Sequence, residues 1–250
     1  MEDPYATVAI LKLSEKYEVD KLRRRVINAL APFFPTTLSA FDELRAQGAT
    51  AQFHQLRVIY HIISLELALE STAPSFLPYL LHFLAGQKTE VLNLILSGDG
   101  DSGKSLIVSP RTRNALLVAR QRLSALARKE VFAKIFEVGV CEQAGRCNGL
   151  RLAFIIDFQS PDGYLDPLQV ARAFDQDLPD LFCPSCAAPM SQSINEGRAR
   201  VWDQLPKIFD LPSWDELKKR TFGQLSAPLV DISFPNPPSL ETGWVDVGLL

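Results

Sequence analysis

Cysteine is scarce in this chain, with four in 250 residues, and histidine (three) and methionine (two) are scarcer still. So few cysteines exclude a disulfide scaffold of the kind that staples small secreted domains. Charge of either sign is not in excess: 26 basic and 29 acidic side chains leave a formal net charge of -3. No broad positive field gathers phosphate backbones, so nucleic acid is not an expected partner. Long hydrophobic runs are also missing. The apolar stretches around Val58 and Leu77 are broken by His61, Glu66 and His82 before a membrane-spanning length is reached. Met1-Glu2-Asp3-Pro4 is acidic where a secretory leader needs base. The expectation is a soluble intracellular protein of cytoplasm or nucleus, not bound to a membrane. There is no fixed-period repeat, no Gly-x-Ser-x-Gly elbow, no His-Glu-x-x-His run and no defensible pair of carboxylates. Neither an enzyme nor a small-molecule substrate is expected.

What is present is helical periodicity. Val8 and Leu11, then Val19, Leu22, Val26 and Leu30, fall mostly three or four apart, which predicts a helical hairpin turning at Lys16–Asp20, with Asp20 as an N-cap. Pro32 and Pro35 stop its second arm, and Thr37 is placed to cap a helix through Phe41 and Leu44. Leu56 to Leu69 keep the helical spacing. Phe76 to Leu84 is apolar all round, as in a buried helix. Ser109-Pro110 reads as a helix start, and the longest helix follows, to about Val138. Its stripe of Arg113, Arg120, Arg122, Arg128, Lys129 and Lys134 is expected to face solvent. A further helix is expected from Ile194 to about Leu205, with Trp202, Phe209 and Trp214 as core anchors. The fold class is therefore mostly α, a helical bundle with a loop-rich cysteine region. Residues 1–140 form a helical region, 141–225 a cysteine-containing helical and loop region, and 226–250 a proline-bearing tail expected to be disordered.

Two strings carry chemistry. Gly98, four residues, Gly103, Lys104 and Ser105 match the phosphate-loop pattern, and Ala153 to Asp157 could pass for the strand that ends in a magnesium-binding Asp. A P-loop NTPase is the alternative this supports. Against it, Pro110 would fall in the second turn of the required helix, Asp99 and Asp101 would crowd a triphosphate, and the first 90 residues offer helices where a parallel sheet is needed.

The second string is Cys141-x5-Cys147 followed by Cys183-Pro184-Ser185-Cys186. The closer pair makes a knuckle able to aim two sulfurs at one tetrahedral ion, and the wider pair needs Gly145 to fold its loop back. Four thiolates would close the shell of a structural zinc; four reduced thiols, two of them buried, is the competing reading. A third reading makes this region a zinc module for nucleic acid, using the basic face near Arg120 and Arg128. His54, His61 and His82 read as packing residues.

Ile10-Leu11-Lys12-Leu13-Ser14-Glu15-Lys16-Tyr17-Glu18-Val19-Asp20-Lys21-Leu22-Arg23-Arg24 resembles the helix pair that closes BTB/POZ domains. Phe34 to Leu38, Leu106 to Pro110, the two cysteine pairs and Arg200 to Trp214 continue the likeness, in order, to the long BTB-containing proteins of mushroom-forming fungi. The resemblance implies BACK-like helices after the hairpin and a non-enzymatic protein–protein interaction module, an adaptor or regulator, whose protein partner it does not identify. The strand-and-helix core through which such proteins dimerise would precede the matched hairpin, so the resemblance carries no expectation of dimerisation.

Overall fold

The structure, a computed structural model, describes residues 4–46, 70, 72–97, 110–137, 141–158 and 164–223. The expected helix over Leu56–Leu69, the Gly98–Ser105 loop, Ser109, His54, His61 and the 226–250 tail lie outside these residues. Among the described residues the architecture is all helical, with no strand. Helices α1 (Pro4–Lys16) and α2 (Asp20–Leu30) form the expected hairpin. Its turn closes with the Val19 N–H donating to the Ser14 carbonyl and the Glu18 N–H to that of Glu15, at 2.9 and 3.1 Å. This pairing needs a left-handed residue, and Glu18 takes that role at φ 51°. Asp20 is the first helical residue, not the cap, which is Val19.

Thr37 Oγ1 accepts from the Ala40 N–H at 3.2 Å at the start of α3 (Leu38–Ala46), as its sequence position predicts. Helix α4 (Leu77–Ala85) is buried on nearly every side, consistent with its unbroken apolar sequence. It lies under an aromatic cluster in which Phe41 meets Tyr79 at 6.1 Å and Trp202 at 5.5 Å. Helix α5 (Thr89–Ser97) follows.

The helix expected to run unbroken to about Val138 is interrupted. α6 (Pro110–Leu126) passes into a π-turn over Ala127–Val131, breaks at Phe132 and resumes as the short α7 (Ala133–Phe136). The reason lies on another helix. At Gly197 a Cβ would sit 2.3 Å from the Glu130 carbonyl oxygen and 2.7 Å from Val131 Cα, so the widened turn and the helix that carries Gly197 touch backbone to backbone.

Three helices surround the cysteines: α8 (Ala144–Phe158), α9 (Gln169–Leu181) and α10 (Pro184–Ile208). This region is more helical than expected, and α10 begins at Pro184 rather than Ile194. Trp202 and Phe209 are core residues, and Trp214, at the start of α11 (Trp214–Phe222), stacks on Trp202 at 5.7 Å and donates from Nε1 to its carbonyl at 3.0 Å. One buried cluster joins side chains from Leu11 to Phe209, with Cys147, Cys183 and Cys186 among them. Among the described residues no helix is long and apolar enough to cross a membrane.

Candidate metal centre

The four cysteines converge because each pair sits at the head of a helix. Cys141 precedes a turn at Glu142-Gln143 from which α8 rises, and Cys147 lies in the first turns of α8, its N–H donating to the Gln143 carbonyl at 3.0 Å. Gly145 is an ordinary helical residue with nothing within 4 Å of its Cβ position. Its flexibility is therefore not needed, because helix geometry alone brings Cys147 back towards Cys141. On the other side Cys183 is the N-cap of α10, with extended backbone (φ -66°, ψ 157°), and Pro184 occupies the first helical position. The Cys186 and Ala187 N–H groups both donate to the Cys183 carbonyl at 2.9 Å, setting Cys186 one turn along on the same side.

The result is a compact cage. All four Sγ atoms lie within 4.8 Å of one another, Cys141 and Cys183 at 3.7 Å. The thiols are unpaired, three buried and Cys141 partly so. The Ser185 hydroxyl donates to Glu142 Oε1 at 2.6 Å, tying the two knuckles together, and the Arg146 guanidinium donates to the Asp180 carbonyl at 2.7 Å, tying α8 to the end of α9. Burial alone would raise the Cys183 thiol, but the N–H groups of Cys186 and Glu142 and the neighbouring thiols of Cys141 and Cys186 draw it down to about 6. Burial, with hydrogen bonds to the other three sulfurs, pushes Cys141 up to about 12. The cage could hold a metal ion: four soft donors in one shell, all from short segments that helices position.

Comparison of the chain with protein-family models, with curated proteins and with solved structures returns no match to any of them.

Other candidate residues fall elsewhere. The stretch Ala153–Asp157, which a nucleotide site would need as a strand, is part of α8. The basic stripe is not simply solvent-facing. Arg120 Nη1 donates to the carbonyls of Ala85 and Gln87, both at 2.7 Å, capping the end of α4, and its guanidinium lies 4.5 Å over the Tyr164 ring. Arg122 donates to the Ile208 carbonyl at 3.1 Å at the end of α10. These two cations terminate helices, where the carbonyl dipoles favour them.

Two buried groups escaped the sequence reading. Asp166 accepts from the Leu168 and Gln169 N–H groups at 2.8 and 2.9 Å, opening α9, and its Oδ1 lies 3.4 Å from His82 Nε2. Burial would raise this carboxyl, but His82 and the two N–H donors hold it down at about 2. The other is Arg151, on the buried side of α8. The wide sequence separation of Asp166 from His82 hides the first pairing. A helical position facing Cys147, four residues earlier, was the available clue to the second.

Proposed function

We propose that the chain is a non-enzymatic helical module that binds a protein partner, with its cysteine-bearing end closed by a structural zinc ion held by Cys141, Cys147, Cys183 and Cys186. The observation that carries this reading is the approach of all four sulfurs to within 4.8 Å. A tetrahedral zinc with bonds of about 2.3 Å places its sulfurs about 3.8 Å apart, and Cys141 and Cys183 are 3.7 Å apart. Polynuclear iron–sulfur clusters spread four cysteines over several irons and need a wider cage. Four thiolates leave no coordination position for water, so such an ion fastens segments together and does no chemistry.

The interaction role draws on the ordered likeness to BTB-containing proteins and on the surface of α8. Leu152 and Ile156, one turn apart, are 58% and 61% exposed. An apolar strip on a helix whose seat depends on the metal offers a partner a surface. Four thiolates around a zinc ion would suit a reducing compartment, cytoplasm or nucleus.

Elemental analysis of the untagged chain tests the metal, with about one zinc per chain expected and its loss on Cys183→Ser with Cys186→Ser. A stably folded wild type without metal would overturn this part. Proximity labelling in cells tests the rest. Leu152→Glu with Ile156→Glu should remove the principal labelled proteins, and an unchanged set would overturn the assignment of that surface.

A further inference from the structure

Arg151 is 7% exposed, yet among the described residues no carboxylate lies in ion-pair contact with it. Its Nη1 donates to the carbonyls of Lys134 at 2.9 Å, Ile135 at 3.1 Å and Glu137, the carbonyl end of α7. Its Nη2 donates to Cys186 Sγ at 3.4 Å, and its buried Nε has no partner. Carbonyls satisfy N–H donors but bring only partial charge, and a buried guanidinium that lacks a full counter-charge is costly. Four neutral thiols would leave that cost standing. Four thiolates around a divalent ion carry excess negative charge, and Arg151 meets it at one sulfur.

We propose that Arg151 is the positioning and charge-balancing partner of the metal centre: its N–H···S bond to Cys186 fixes that sulfur in place, and its charge offsets that of the ligand shell and so sets how tightly the ion is retained. The inference rests on the zinc reading and adds to it a residue outside the ligand set. A donor to a ligating atom fixes the ligand's orientation and tempers its electron donation to the metal. The same side chain binds α7, α8 and the head of α10 into one unit, so the centre and the carbonyl end of α7 share a single cation.

The test uses the full chain as wild type, Arg151→Met, which keeps length without charge or donors, and Arg151→Lys, which keeps the charge. Zinc affinity is read by competition with a chromophoric chelator, and the sulfur-to-metal charge-transfer band is read after cobalt substitution. Arg151→Met should weaken zinc binding by about 10- to 100-fold, the range for lost outer-shell partners, and move the cobalt band to lower energy as Cys186 becomes the stronger donor. Arg151→Lys should recover most of the affinity while the band stays shifted. A merely structural arginine would lower thermal stability and leave both readouts unmoved, and that result overturns the proposal. If Arg151→Met does not fold, Arg151→Lys decides: a wild-type band position overturns it. A wild type that takes up neither zinc nor cobalt overturns the metal reading and this one with it. A metal-binding wild type matched by Arg151→Met in affinity and band overturns this one alone.

Discussion

At its start α10 is gripped by sulfur, with Cys183 and Cys186 facing Cys141 and Cys147, whereas its last turns are gripped by rings, with Trp202 set between Phe41 and Trp214 and with Ile208 and Phe209 buried beside it. The helices that face each end differ accordingly. α4 is buried on nearly every side, while the described side chains of α8 include only two that are fully buried, Cys147 and Arg151. Dispersion and the hydrophobic effect therefore seat α4 without help. The fully buried part of α8 is Cys147 and Arg151, with the partly buried Leu150 and Phe154 packed on the core beside them, and a buried cation such as Arg151 repays its desolvation only where counter-charge meets it. One end of α10 sits in an aromatic core; at the other the same buried cluster carries four cysteines that could hold a metal ion.

The largest expected effect separates the two ends outright. A strong chelator should lower amide exchange protection along α8 by at least on the order of 100-fold, while α4 and the Arg198–Ile208 half of α10 keep theirs. Equal loss everywhere, read by hydrogen exchange, would break the comparison. Next, Trp202→Ala should cost about 4 kcal/mol in denaturant titration, by the same amount with and without chelator. A cost that vanished in chelator would mean that the packed end depends on the ion.

Asp166→Asn sharpens the description of the packed end through its pH dependence. The native carboxyl lies at about 2, below the usual carboxylate range, so its contribution is complete above about pH 4 and is lost as pH falls through about 2. Wild type should exceed Asp166→Asn by about 2 kcal/mol at neutral pH, and the gap should close towards pH 2 in acid unfolding. A gap independent of pH would assign the stabilisation to packing. The smallest effect concerns the close of α10, where Asp210 stands at φ 55° and the Leu211 N–H donates to the Pro206 carbonyl at 2.8 Å. Asp210→Gly relieves the left-handed strain and gives up the exposed contact with Arg122, for a net gain of about 0.5 kcal/mol in thermal unfolding, again indifferent to metal.

The parts legible in the sequence are those whose cause is local. The α1–α2 hairpin follows from apolar spacing, α3 from the hydroxyl of Thr37, the burial of α4 from its lack of a polar face, and the cysteine cluster from two short cysteine spacings. The start of α10 at Pro184 was within reach too, since proline after a capping position marks a helix head. What stayed hidden depends on contacts between distant residues. The break after Leu126 answers to Gly197, Arg120 finds the carbonyls that end α4, and Asp166 finds His82. A basic side chain at a helical spacing reads as solvated until another helix is known to end beside it. Pairing Arg151 with Cys186 likewise required α8 and α10 to be set side by side.

Three of the four sulfurs are shut away, and Cys141 is the one with an edge towards solvent. Traffic through the cage is thereby given a direction. An incoming chelator, a competing thiophilic ion or an oxidant would meet Cys141 first, on the segment before α8. For an ion held there, the freedom of that short approach would govern its lifetime more than the depth of the other three sites.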